Sequence, residues 1–240
     1  MALKGVNPDL IDRISRNATV LKGRIDAAAR RSGRSAESIR LVGISKTFGP
    51  EYLDAAFTAG VGDLGENRIQ EAVTKFPRLQ TQPILHMVGH LQSNKAKQAV
   101  ELFDWIHSVD SARLMDRIGR ITGEIGKEIN VLIQVDLAGE ATKSGVSEEE
   151  IPAILEAAEP WPTVSPCGLM CLPPFFDDPE KTRPYFERAR QILQGLRTKG
   201  LVPDSFDHLS MGMSNDFEVA VEEGATLIRV GTALFGTRSR

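Results

Sequence analysis

Eight short apolar runs punctuate this chain, and a longer amphipathic stretch separates each from the next. The runs are Leu41–Ser45, Gly62–Gly65, Ile84–Gly89, Trp105–Val109, Val131–Asp136, Gly168–Leu172, His208–Met211 and Leu227–Val230. Short apolar runs of this kind, bounded by turn residues, read as buried strands. The intervening stretches space their apolar residues at helical intervals near Pro50–Ala59, Gln70–Phe76, Gln92–Phe103, Ser111–Ile125, Glu148–Ala158, Pro184–Lys199 and Asn215–Glu223. Strands alternating with helices imply parallel pairing through crossovers. Eight such units in 240 residues predict an α/β protein with a single (β/α)8 barrel domain over residues 1–240, in the lower size range of that fold. A doubly wound open sheet is the alternative.

An extra helix precedes the first unit. Leu10, Ile14, Ala18, Leu21, Ile25 and Ala28 form its apolar stripe, with Asn7 as N-cap, Pro8 at the first helical position and Gly33 as stop. Asn215 with Glu218, and Ser147 with Glu150, have the spacing of capping boxes. Pro152 argues that its helix starts later than Glu148, because proline is tolerated only in a first turn.

Composition excludes several classes. A net charge of −3 exerts no global pull on nucleic acid or an anionic membrane. No apolar run approaches the ~20 residues that span a bilayer, and Met1–Asp12 contains no apolar signal segment. Cys167 and Cys171 read as small buried residues in a reducing compartment, and the four histidines are scattered, so no metal site is expected. The expectation is a cytoplasmic protein.

Barrel enzymes and binding proteins carry their functional groups at the C-terminal ends of the strands. Here those ends deliver Lys46, Asn67, Ser210–Ser214, Arg229 and Gly231–Thr232. Lys46 directly follows an apolar strand, so it is expected to enter the barrel mouth with little water around it. Desolvation would favour the free amine, a nucleophile toward aldehydes; a strand-end lysine facing solvent is the plainer alternative. Ser210, Ser214, Gly212, Gly231 and Thr232 resemble a phosphate cradle, with the helix start near Asn215 adding N–H donors, although ordinary turns and caps use the same residues. Arg229 lies inside an apolar strand and needs either an ion-pair partner or a ligand acceptor. Asn67, Gln92 and Asn94 offer neutral hydrogen-bonding groups, Lys95 and Lys97 read as a solvated helix face, and Met211 and Met213 as packing at the mouth.

These segments together resemble the pyridoxal phosphate homeostasis proteins. The matching stretches are LVGISKT (41–47), GENRIQEA (65–72), HMVGHLQSNK (86–95), KSG (143–145), GLM (168–170), LSMGMSNDFEVAVEEG (209–224) and IRVGTALFG (228–236). They run across nearly the whole chain in the family's order. The resemblance implies a barrel like the N-terminal domain of alanine racemase, with pyridoxal 5'-phosphate held as an aldimine on Lys46. It also implies phosphate contacts from Ser210, Ser214, Gly231 and Thr232, a ring pocket lined by Asn67 and Met211, and Arg229 facing the pyridine nitrogen. An arginine can only donate, which leaves that nitrogen unprotonated and weakens the ring as an electron sink. Racemases of this fold add a second domain and a tyrosine base, whereas Tyr52 and Tyr185 here fall in predicted helices.

The implied function is therefore a non-catalytic carrier that buffers or supplies the cofactor in vitamin B6 homeostasis, with apoenzymes that use it as partners. A racemase- or lyase-like enzyme and a cofactor-free Schiff-base aldolase are the alternatives. Two departures stand out: Phe48 occupies a position where many members have a second lysine, and the tail ends early at Arg238–Arg240. The lack of a second domain and of an exposed apolar stripe leans toward a monomer.

Overall fold

A computed structural model describes residues 5–139 and 144–237; Lys143 and the Arg238–Arg240 tail lie outside them. The described residues form eight parallel strands, each hydrogen-bonded to the next and the last to the first, so the sheet closes into a barrel. The strands are β1 (Arg40–Ile44), β2 (Asp63–Glu66), β3 (Ile84–Met87), β4 (Trp105–Val109), β5 (Ile129–Val135), β6 (Val164–Cys171), β7 (His208–Ser210) and β8 (Leu227–Val230). The helices are α1 (Pro8–Arg31), α2 (Pro50–Thr58), α3 (Ile69–Lys75), α4 (Ala96–Leu102), α5 (Ala112–Ile125), α6 (Ile151–Ala158), α7 (Arg183–Thr198), α8 (Phe217–Glu222) and a single turn, α9 (Thr232–Phe235). The barrel and its extra leading helix are as the alternation of the sequence implies, and the open sheet is set aside.

Successive side chains on a strand face opposite ways, so the core has two parts. A small apolar cluster of Val42, Ile44, Val88, Trp105, Leu132, Met170 and Leu227 fills the barrel interior. A larger layer packs between the strands and the surrounding helices. The buried polar residues His86, His107, Ser210 and Arg229 alternate with outward-facing apolar neighbours and share the interior.

Helix α1 buries Ile14, Ala18, Leu21, Ile25, Ala28 and Ala29 and covers the seam where the last helices meet the first. Burial of Ile14, Leu21 and Ile25 contributes roughly 1.5–3 kcal/mol each. The partly exposed pairs Arg24–Glu218 (2.9 Å) and Arg31–Glu222 (2.7 Å) add about 1 kcal/mol or less apiece. Apolar packing therefore holds the helix, and the ion pairs set its register on α8.

Asn7 caps α1 with Pro8 at its first position, as expected, whereas expectations hold unevenly at three later helix starts. Ser147 and Glu150 form the capping box, and α6 begins at Ile151 with Pro152 in its first turn, where a missing N–H is harmless. The segment from Gln92 opens as a 3-10 turn over Ser93–Lys95 before α4 starts at Ala96. Asn215 and Glu218 do not cap α8. That helix starts at Phe217, the Asp216 carboxylate accepts from the Met213 amide (2.6 Å), and the Asn215 amide donates to the Phe176 carbonyl (3.0 Å).

One irregularity shapes the barrel wall. The β5–β6 ladder pairs Val131 with Pro166 but Leu132 with Gly168, so Cys167 is an extra residue and β6 bulges there. Gly168 has φ +154°, and a Cβ on it would collide with the His208 carbonyl of β7. Glycine is what lets β7 lie alongside the bulge. Gly168→Ala is expected to destabilise the protein by at least about 3 kcal/mol, read as a lower denaturant midpoint at unchanged slope.

Candidate functional site

The strand ends open into a cavity of about 500 Å³ at the mouth of the barrel. Lys46, Asn67, Ser214, Arg229, Gly231 and Thr232 all line it, together with Ile44, Phe48, Val88, His90, Gln134, Ser144, Leu172, Phe175 and Met213. Six of the eight residues singled out from the sequence thus meet in one place. The other two do not reach it. Ser210 is wholly buried and its hydroxyl is engaged by His107 (2.9 Å) and Arg229 (2.5 Å) inside the barrel. Met211, one residue on, points outward into the layer beneath the helices, and Met213 takes the place on the cavity wall expected for it.

Lys46 stands at the end of β1 on a turn that is held from both sides. Its side chain is exposed at the mouth, so the dry surroundings expected for it are not found. What the fold supplies instead is a fixed backbone. Thr47 has φ +71°, a conformation rare for a β-branched residue and costing on the order of 1–3 kcal/mol. Its amide donates to Glu71 Oε2 (2.8 Å), and the Phe48 amide donates to the Ser45 carbonyl (3.0 Å). The Ser45 carbonyl also accepts from Lys75 Nζ (2.8 Å), and the Ser45 hydroxyl donates to Glu66 Oε1 (2.7 Å). Lys75 and Glu66 form a buried ion pair directly beneath. Burial pushes the Glu66 carboxyl up, against the pull of Lys75 and Ser45.

Across the cavity, the loop after β7 turns at Gly212 (φ +88°), where a Cβ would press on Ala220 and Phe217 of α8. That close approach seats the loop bearing Ser214 on the helix. Gly231 and Thr232 follow β8 directly. Helix α8 is only six residues long and starts after Asp216, so the helix-start donors expected near Asn215 contribute little to this wall. A polar side wall comes from Gln134, whose amide donates to the Ser144 carbonyl (2.5 Å), and from Ser144 Oγ against His90 Nδ1 (2.9 Å).

Arg229 forms part of the floor and is 4% exposed. Among the described residues no carboxylate bonds to it; Nη1 donates to Ser210 Oγ and Nη2 to the Cys171 carbonyl (2.9 Å). Burial lowers its pKa, with Cys171 and Asp216 opposing, yet a guanidinium stays charged in proteins. Its remaining N–H groups are free to meet an acceptor in the cavity. Burial pushes the Cys167 thiol up to about 11 and that of Cys171 to about 12, so neither is a nucleophile at neutral pH. Among the described residues no cluster of three His, Cys, Asp or Glu could hold a metal, and no helix is long and apolar enough to cross a membrane.

Residues 19–239 match the family model described as alanine racemase, N-terminal domain. A protein of Aquifex aeolicus named pyridoxal phosphate homeostasis protein is 41% identical over 216 residues, covering 90% of this chain and 94% of that one. Its namesake in Escherichia coli K12 is 37% identical, covering 94% and 97%. The chain belongs to the pyridoxal phosphate homeostasis protein family. A family member of known structure, PipY of Synechococcus elongatus with PLP bound, superposes with a TM-score of 0.81 at 37% identity, covering 93% of this chain and 100% of that one. Alanine racemase of Clostridium difficile superposes with a TM-score of 0.72 at 16% identity, over 98% of this chain and 61% of the racemase. At that identity the likeness is one of fold alone.

The sequence reading missed the supports of the site. Thr47, Glu71 and Lys75 read as turn and helix surface, because a positive φ and a buried salt bridge leave no periodic trace. His107 sits mid-strand and gives no motif. Two measurements probe these supports. Lys75→Met, which leaves Glu66 buried without its cation, is expected to cost roughly 3–5 kcal/mol, and Glu66→Leu in the same protein to restore most of it. Urea unfolding of both variants checks this.

The second concerns pH. Burial lowers the pKa of His107 well below its ordinary value and lowers that of His86. The unfolded chain therefore binds more protons than the folded one in mildly acidic solution. Their contribution is complete above about pH 6.5 and is lost as pH falls, with a slope of up to about 1.4 kcal/mol per pH unit for each histidine. His107→Gln should flatten stability between about pH 6.5 and 5 by one such slope, measured by denaturant unfolding across that range.

Proposed function

We propose that this cavity holds pyridoxal 5'-phosphate covalently on Lys46, and that the protein keeps and supplies the cofactor rather than turning over a substrate. When bound, pyridoxal phosphate supplies an electrophilic aldehyde and an electron-withdrawing ring. The observation that carries the reading is the meeting, in one cavity of about 500 Å³, of the Lys46 amine, the Ser214, Gly231 and Thr232 loops, and Arg229. A cavity of that size suits a ligand of this class. The Lys46 amine is offered at the open rim. Ser214 and Thr232 present hydroxyl donors to a phosphate, and Gly231 admits it close to backbone. Asn67 and Met213 bound the ring.

The same residues argue against strong catalysis. Arg229 offers only donors, so a pyridine nitrogen set against it accepts a hydrogen bond and carries no proton of its own. Neither tyrosine lines the cavity: Tyr52 packs against Phe48 and Phe235, with ring centroids 4.7 and 6.4 Å away, and Tyr185 against Phe176. Phe48 itself belongs to that aromatic cluster, so packing occupies the position where many relatives have a second lysine. The printed names of the relatives, pyridoxal phosphate homeostasis protein, and the PLP-bound PipY structure support a role in vitamin B6 homeostasis. In this reading the protein is a cytoplasmic monomer that hands the cofactor to apoenzymes requiring it.

Added pyridoxal phosphate should produce an absorption band toward the visible. Borohydride should then fix the label on Lys46, located by peptide mapping, and Lys46→Ala should remain colourless. A colourless wild type, or a label on another lysine, overturns the assignment. Exchange of an amino acid's α-proton with deuterated solvent, dependent on Lys46, would instead establish an enzyme.

A further inference from the structure

A continuous line of hydrogen bonds crosses the barrel interior and ends on Arg229. Asp63, at the start of β2, lies 2.9 Å from His86 Nε2 of β3. His86 Nδ1 meets His107 Nε2 of β4 at 3.0 Å, and His107 Nδ1 meets Ser210 Oγ of β7 at 2.9 Å. Ser210 Oγ accepts from Arg229 Nη1 of β8 at 2.5 Å. Both imidazoles and the serine have no exposed surface. Trp105 stacks on His86 (5.8 Å, 18°), and the two imidazoles stand edge to face (5.1 Å, 81°), so packing fixes both ring planes.

The two ends determine where every proton in this line sits. A carboxylate only accepts, so His86 carries its proton on Nε2 toward Asp63. A buried neutral His86 then accepts at Nδ1, which obliges His107 to donate from Nε2 and accept at Nδ1. The Ser210 hydroxyl must therefore give its proton to His107. That turns its oxygen lone pairs toward Arg229, which can only donate. The reverse order would need the Asp63 carboxylate to donate to His86, so the line has one polarity. Within a low-dielectric interior each bond of such a chain polarises the next.

We propose that Ser210, His107, His86 and Asp63 are positioning residues for Arg229: the line fixes the plane of the guanidinium and turns its unused N–H edge to the cavity. Ser210 accordingly acts through Arg229 and not on a phosphate, contrary to what its place in the motif implies. The guanidinium is pinned at two points, Ser210 Oγ and the Cys171 carbonyl. Without the first it keeps one neutral anchor and can swivel about it. This inference rests on the reading that Arg229 faces the ring of bound pyridoxal phosphate, and its test separates the two.

In the cofactor-free protein, nitrogen-15 spectra of the histidines at pH 7 should show His86 and His107 neutral, each protonated at Nε2. A proton on Nδ1 of His107, or a charged imidazole at either position, overturns the relay. In the loaded protein, Ser210→Ala should move the near-visible absorption maximum, while competition by inorganic phosphate stays within about twofold of wild type. Ser210→Thr, which keeps a hydroxyl, should restore the maximum. Ser214→Ala should weaken phosphate competition roughly tenfold, the loss of one charge-assisted hydrogen bond, and leave the maximum in place. A Ser210→Ala protein that loses phosphate competition tenfold with an unmoved band overturns the proposal. A wild type that takes up no cofactor overturns the functional reading, whatever the tautomers.

Discussion

The site depends on the ladder between β1 and β8. That pairing sets Val42 beside Arg229 and Gly43 beside Val230, so the two strands leave the barrel together at its C-terminal rim. One continues into Ser45 and Lys46, the other into Gly231 and Thr232. An amine from one end of the chain and a hydroxyl-bearing turn from the other thereby become neighbours. An open sheet carrying the same strands would leave them at opposite edges. Closure, which a cylinder of eight short parallel strands permits, is thus the condition for any chemistry that uses both.

The fold was legible because its signal is periodic. Eight apolar runs and their helical partners repeat often enough that errors at single boundaries, such as the late start of α4 or α8, do not change the count. The site was legible to the extent that it follows from position. Residues that end a strand face the mouth, and that rule alone selects Lys46, Asn67, Gly231 and Thr232. It fails where parity matters. Ser210 and Met211 sit within the motif yet before the rim, and the alternation of β7 sends the serine into the barrel and the methionine outward. Ser214 and Met213, a few residues later, are the ones that emerge. A motif read as a unit blurs that distinction, which a strand makes residue by residue.

The supports of the site belong to another category. The φ of Thr47 and the line from Asp63 to Arg229 arise from contacts between elements apart in sequence, and the Lys75–Glu66 pair joins β2 to the helix that follows it. The ion pair and the line involve polar groups buried at a cost that their mutual pairing offsets. A lysine in α3 or a histidine in β4 looks the same in the sequence whether it is solvated or enclosed. What distinguishes them is the third dimension, and only the identity of their partners explains why they are tolerated inside.

These supports also bear on what kind of site this is. The backbone under Lys46 and the floor at Arg229 are held by buried, paired groups, whereas the amine, Asn67 and Thr232 are exposed at the mouth, beside Phe175 at 74% exposure. Strong catalysis favours a reacting centre from which water is excluded, and storage with release favours one that partners and solvent can reach. A rigid base with an open rim suits the second. On the proposed reading, the carbonyl end of the cofactor would stay within reach of competing amines, while Arg229 and the turn at Thr232 would hold its ring and phosphate. An amine that is well aimed but accessible to water fits a bond made to be reversed.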